Sequence, residues 1–442
     1  MSTTLPETGP IPAVTEQAEQ ALQAALEKAP ALPLGMAPAA AAATVTTAPA
    51  PAARKSRPHV IAFDPIRLII MVFVVSVHTL AFGGGQVTVV LGAFSTVFHT
   101  SRELFFLLTA LVLSYNYAHK SHVHWLRFWR RRYWLVLPAY VAWTLIYFAA
   151  DGHWPGSVPA AASAIWHDLL TASARYHLYF LLVTMQVYLA FPVLRWVLRK
   201  TAGHHVALFL AACAYQLALT AELHYHLVRM GPLTGWLNGA AQGYWMESYM
   251  LYIVGGAIAG WHFDQLCAFT RRYARPAVIA AVAGVGVAAG LSVYFIEIYA
   301  GGATPASASG VFQPIVVVEA LAFGWALLAG GLLWTDRGAR HRKFFAAGSA
   351  SSFGIYLAHP LVLQGLLALA STAGVLGAVR DAPGGLEVLV LLCIAVPVVY
   401  GVSWVIASAA RRTPLSLVLT GREYSSGRRR AVTAGSSEER QS

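Results

Sequence analysis

Two side chains that a lipid bilayer disfavours stand in one apolar run. Between Phe63 and His78 the chain is mostly Ile, Val, Leu, Met and Phe, yet it carries Arg67 and His78. An ionisable group inside a membrane span costs a few kcal/mol or more, so each is a functional candidate by default. Eleven residues at about 100° each are three turns plus about 20°, which puts both on one helix face about 16 Å apart along the axis. A cationic anchor near one membrane surface and a titratable imidazole toward the other suit a reaction path running through the membrane. The bland alternative is that Arg67 snorkels to headgroups and His78 bonds a neighbouring helix.

Other ionisable residues fall in apolar runs. His177, in Arg175-Tyr-His-Leu-Tyr-Phe, is expected near the level of His78, or else as an interfacial histidine among belt aromatics. His359, beside the helix-kinking Pro360, is expected nearer the inner half, bonding a carbonyl freed by the kink or lining a cavity. Glu103, Glu247 and Glu319 are three carboxylates of the outer half, any of which could orient a protonated imidazole. Arg102 and Glu103 are adjacent, pointing about 100° apart, and are not expected to pair. The densest basic cluster, Arg127 and Arg130-Arg131-Arg132 among tryptophans, offers bidentate donors to a multi-phosphate ligand; it serves equally as an inward-orientation signal.

These residues need a frame of helices. The chain has 442 residues, 57% hydrophobic and 11% charged, with a mean hydropathy of +0.58; soluble proteins carry about 25% charged residues. The pattern excludes a disordered chain, a soluble multidomain enzyme and an outer-membrane barrel. We expect an all-α polytopic membrane protein with ten spans of about 20 apolar residues, near 60–82, 94–118, 133–150, 176–198, 204–222, 244–262, 276–298, 312–334, 350–376 and 386–409. Of the 31 Lys and Arg, 26 then fall on alternate loops or at the span ends beside them. Both termini are therefore expected in the cytoplasm, and the net charge of +12 needs no nucleic acid to explain it. Neither broken helices in corresponding halves nor an internal repeat is evident. Residues 1–59, rich in Ala, Pro and Thr, are expected to be a disordered tail with one weak helix over Glu16–Lys28. No cleavable signal peptide is expected. Residues 60–410 form the membrane domain, and 411–442 a second, basic disordered tail. Cys213, Cys267 and Cys393 have no metal or disulfide spacing. No Walker A, GxSxG or HExxH motif occurs, so no metal and no permanently bound cofactor is expected.

The residues resemble the acyltransferase-3 family of integral membrane O-acyltransferases. Four motifs in order carry the likeness. They are Asp64, Arg67 and His78; the arginine-bearing entry Phe128–Tyr140 with Pro138-Ala-Tyr140; His177-Leu-Tyr-Phe followed by Tyr188 and Phe191-Pro192; and Ser352-Phe-Gly-Ile-Tyr356-Leu-Ala-His359-Pro360. The likeness covers about 60–410. One departure is that the family's Phe-Phe-x-x-Ser-Gly reads Phe105-Phe-Leu-Leu-Thr109-Ala110 here, losing a glycine that would permit close helix approach.

The resemblance implies transfer of an acyl group, often acetyl, from cytoplasmic acyl-CoA to a hydroxyl of a carbohydrate or glycolipid, in a multi-pass protein of the cell membrane. Acyl-CoA is then donor substrate rather than cofactor, held by Arg127, Arg130, Arg131 and Arg132. His78 is expected as general base or as acyl carrier, with Arg67, His177 and Glu319 completing the catalytic set. Glu103, Tyr356 and His359 are expected to line the substrate cavity. The competing reading is a proton-coupled exporter or flippase of a lipid-linked sugar; a third is a non-catalytic subunit of a polysaccharide assembly complex.

Overall fold

The computed structural model describes residues 58–152, 154–227, 243–383 and 385–424. The expected N-terminal tail with its weak helix, Arg229, and the chain beyond 424 lie outside the described residues. Among the described residues the structure is helical and no strand forms. In lipid every backbone N–H and C=O needs an internal partner, which helices supply.

The helices are α1 (Phe63–Gly83), α2 (Val89–Phe98), α3 (Ser101–Tyr117), α4 (Trp125–Ala150), α5 (Val158–Thr171), α6 (Tyr179–Lys200) and α7 (His205–Tyr225). There follow α8 (Met250–Trp261), α9 (Phe263–Tyr273), α10 (Pro276–Tyr299), α11 (Pro314–Asp336), α12 (Arg342–Thr372), α13 (Leu386–Ala410) and the short α14 (Ser416–Thr420). Local chemistry sets several starts. Thr88 and Ser157 cap α2 and α5 through their side-chain oxygens, and Pro276 and Pro314 open α10 and α11 where no N–H is needed.

Nine segments among the described residues are long and apolar enough to cross a membrane, with α2 and α3 counted together as Val89–Tyr117. The expected sixth span differs. Its helix α8 has only 12 residues, about 18 Å, and is entered through a 3₁₀ turn at Met246–Tyr249. That turn lies at mid-depth: Gln186 within α6 accepts from Met246 N at 2.9 Å, and Gln216 within α7 donates to Ser248 O at 2.8 Å. Glutamine amides, that of Gln216 buried and that of Gln186 half-buried, replace the missing helical bonds, which makes irregular backbone tolerable there.

Alternation of the ends survives this shortening. At one end Arg195 donates to Tyr117 O (3.1 Å), the His119 ring meets Trp261 O (2.8 Å), and Arg271 pairs with Asp336 (2.9 Å). At the other, Arg380 donates to Gly83 O (3.1 Å) and Tyr294 to Val89 O (2.9 Å). Phe63 stacks near Phe263 at the first end, and Arg411 reaches Ser351 by the same end. Both limits of the described chain therefore share one end, which carries most of the arginines and is called the basic end below.

Two helices are broken: α2 and α3 part at His99–Thr100, and α8 begins only midway. Beyond α13, the short α14 is anchored by Trp143 Nε1 donating to Leu419 O at 3.2 Å. Finally, the glycine missing at Ala110 is supplied by the opposite helix. A Cβ on Gly256 would stand 2.2 Å from Leu107 O, and one on Gly260 2.3 Å from Leu111 O, so α8 and α3 pack backbone to backbone.

Candidate active site

His78 and His177 line one cavity of about 260 Å³ within the bundle. The break before α3 opens it, since His99, Ser101 and Arg102 reach the wall from the broken turn. The His78 ring lies 4.6 Å from that of Tyr176 and 5.3 Å from that of His359. His177 is 5.4 Å from His359 and 5.0 Å from Tyr356. The three histidines thus form one cluster, and His359 does not sit in the inner half as expected. Its helix starts at Arg342 rather than near 350, so seventeen residues carry it about 26 Å inward.

Hydrogen bonding assigns the proton on His359. Nδ1 is 2.7 Å from Tyr356 O, and a carbonyl only accepts, so Nδ1 carries the hydrogen and Nε2 keeps a lone pair. His359 Nε2 and both ring nitrogens of His177 have no protein partner although buried. Tyr356 donates its hydroxyl to the backbone oxygen of His177, and Tyr147 donates to Leu357 O at 2.6 Å. These bonds tie α4, α12 and the entrance of α6 together around the cluster.

The carboxylates do not reach it. Glu319 is wholly buried on α11, occupying the space left by Gly290 on α10, where a Cβ would lie 1.8 Å from its Oε1. Glu103 faces away from the cavity and takes two bonds from Arg102, at 2.8 and 3.2 Å; the pairing judged unfavourable by angle forms because the long guanidinium curls back. Glu247 lies on the 3₁₀ turn before α8 and does not line the cavity. The charged group at the wall is Arg102, held by Glu103 and set over the Phe312 ring at 4.7 Å.

A second, larger cavity of about 1370 Å³ opens at the basic end. Arg127, Arg130 and Arg131 project into it from α4, and Arg411 and Arg422 join from the C-terminal segment; Glu423 is the one acidic residue on the wall. Arg132 is not part of it. Its guanidinium lies 5.7–5.9 Å from the rings of Tyr117, Phe128 and Tyr188, as helical arithmetic requires, since 127, 130, 131 and 134 share a face and 132 does not. Loss of surrounding water, then the neighbouring Arg411 and Arg67, pull the Arg422 guanidinium below its ordinary value. Mutually repelling cations of this kind are stabilised by an anion. Arg67 itself lines neither cavity; it donates to Ser349 Oγ at 3.3 Å and lies 3.9 Å from Asp64.

Phe105 and Phe180 belong to the walls of both cavities, so the two chambers adjoin at these rings. Sequence reasoning missed His99, Tyr176, Arg411 and Arg422 as site residues. A signal for the first existed: His99-Thr-Ser-Arg-Glu103 is a polar run within an apolar span.

A family model described as an acyltransferase domain, that of the acyltransferase-3 family, matches residues 60–408. Among curated proteins and among solved structures nothing matches. The matched region runs from the first turn before α1 to the end of α13 and contains His78, His177 and His359 together with the α4 arginines. The chain belongs to the acyltransferase-3 family, and the protein is a membrane-embedded acyltransferase.

Proposed function

We propose that the protein transfers a short acyl group from acyl-CoA, bound at the basic end, to a hydroxyl of a carbohydrate or glycolipid that enters the histidine cavity. The observation that carries this reading is the adjacency of two chambers with opposite chemistry. One is wide and lined by five arginines; the other is narrow and lined by imidazoles. Coenzyme A carries a pyrophosphate and a ribose phosphate, which bidentate guanidinium donors suit, and its pantetheine arm extends from them toward the junction at Phe105 and Phe180.

In the reaction His78 takes the proton of the acceptor hydroxyl as the oxygen attacks the thioester carbonyl carbon. The C–O ester bond forms, the C–S bond breaks, and the leaving thiolate receives that proton to give free CoA thiol. His359, stacked on His78 and edge-on to His177, positions them. Arg102, on the cavity wall, faces the developing oxyanion, as guanidinium groups favour negative charge. We place the protein in the cell membrane with its basic end in the cytoplasm, following the arginine distribution.

The test uses membranes containing the wild type or His78→Ala with radiolabelled acetyl-CoA and an envelope glycan and lipid fraction. Label should enter the fraction with the wild type and fall at least 100-fold in the variant at equal protein level. Equal incorporation by both would remove His78 from the mechanism.

A further inference from the structure

We infer that Phe105 and Phe180 form a two-ring partition that sets the acyl-chain length this enzyme accepts, restricting donors to short acyl groups. The inference rests on the proposed donor and acceptor sites and adds a specificity determinant to them.

Four observations converge. Among the described residues, these two rings alone form part of both cavity walls. They meet edge to face, with centroids 5.4 Å apart at 66°, an arrangement held by dispersion rather than hydrogen bonds. They stay partly exposed while the adjacent Phe106 is 1% exposed in the core, so each ring packs on the core with part of its surface and gives the rest to the cavities. One helical turn further on, Thr109 and Thr184 continue the same two faces along the wall of the donor cavity.

Beyond the rings the chamber is about 260 Å³, against about 1370 Å³ for the donor cavity. It has to hold the acyl group and the acceptor's hydroxyl-bearing carbon together. Tyr356, 5.5 Å from Phe180, cannot retreat to enlarge it, because its hydroxyl is tied to the His177 backbone. An acetyl group fits beside an acceptor. An eight-carbon chain finds apolar wall at Val74, Val77, Ala81 and Phe82, but fills the space the acceptor needs.

The experiment measures transfer from acetyl-, butyryl- and octanoyl-CoA by full-length protein in lipid nanodiscs, for the wild type, Phe180→Ala and Phe105→Leu. CoA affinity, measured by calorimetry on the same samples, certifies each variant as folded, and either variant suffices. The wild type should favour acetyl over octanoyl by more than 100-fold, and a folded variant should narrow that ratio at least tenfold, since one methylene in a fitted pocket changes specificity by about 10–200-fold. The idea fails if the wild type uses both donors alike, if the ratio is unchanged in folded variants, or if all donors fall in parallel. Absence of thioester cleavage by a CoA-binding wild type would overturn the acyl-transfer reading itself, and the partition with it.

Discussion

An imidazole in a membrane span is conspicuous because few structural reasons put it there, and His78 and His177 were recognisable as candidates on that ground alone. Their partner was harder. His359 sits beside a proline, and its depth depends on where α12 begins; the charged residues Arg342 and Lys343 belong to that helix, although a hydropathy reading starts it near 350. The arginines divide in the same way. Arg127, Arg130 and Arg131 share a face that the 3.6-residue period defines, and the same period turns Arg132 away from it. Arg411 and Arg422 looked like orientation charge because only tertiary structure returns the C-terminal segment to the cavity. Arg422→Ala should raise the KM for acyl-CoA about tenfold with kcat nearly unchanged, as expected when one charge-assisted contact worth about 1.5 kcal/mol is lost from uniform binding. Arg132→Ala should leave that KM unaltered and lower the thermal midpoint instead, because its guanidinium packs on three rings. Initial-rate kinetics and a melting curve on the two variants separate these outcomes.

At the scale of the element, nine of the ten spans follow from apolar runs of sufficient length. The exceptions lie where the chain builds the site. The break at His99–Thr100 delivers His99, Ser101 and Arg102 to the cavity, and a hydropathy window averages over it. The half-length α8 is legible only from glutamines in α6 and α7 that have no partner until its 3₁₀ turn arrives. Close packing of α8 on α3 rests on Gly256 and Gly260, whose importance no single-helix pattern reveals. Gly256→Val should cost about 1–3 kcal/mol by forcing the helices apart, seen as a lower melting temperature in detergent. Gly330→Val on α11, where a Cβ meets nothing within 4 Å, should change it little. Equal effects at both positions would mean that the α3–α8 contact is not a tight one.

For the molecule as a whole, the placement of basic residues anticipated the alternation of ends, and hydrogen bonds between helix ends follow that order through the described chain. Composition could not disclose two chambers stacked through the bundle, because that arrangement depends on which faces of α3, α4, α6 and α12 turn inward. Broken helices are a feature shared with transporters, yet here the break before α3 brings His99, Ser101 and Arg102 to the cavity that His78 and His177 line, within an acyltransferase domain. The family's activity is chemistry rather than passage of an intact solute.

The central claim is that donor and acceptor reach one site from opposite ends of the bundle. Sealed membrane vesicles of defined orientation test it, using membrane-impermeant labelled acetyl-CoA added outside, endogenous acceptor, and His78→Ala membranes as the blank. Inside-out vesicles, which present the basic end to the donor, should transfer label to membrane glycan or lipid, and intact right-side-out vesicles should transfer none until permeabilised. Transfer by sealed right-side-out vesicles, lost in the His78→Ala blank, would show that the donor enters from the histidine end and would contradict the account.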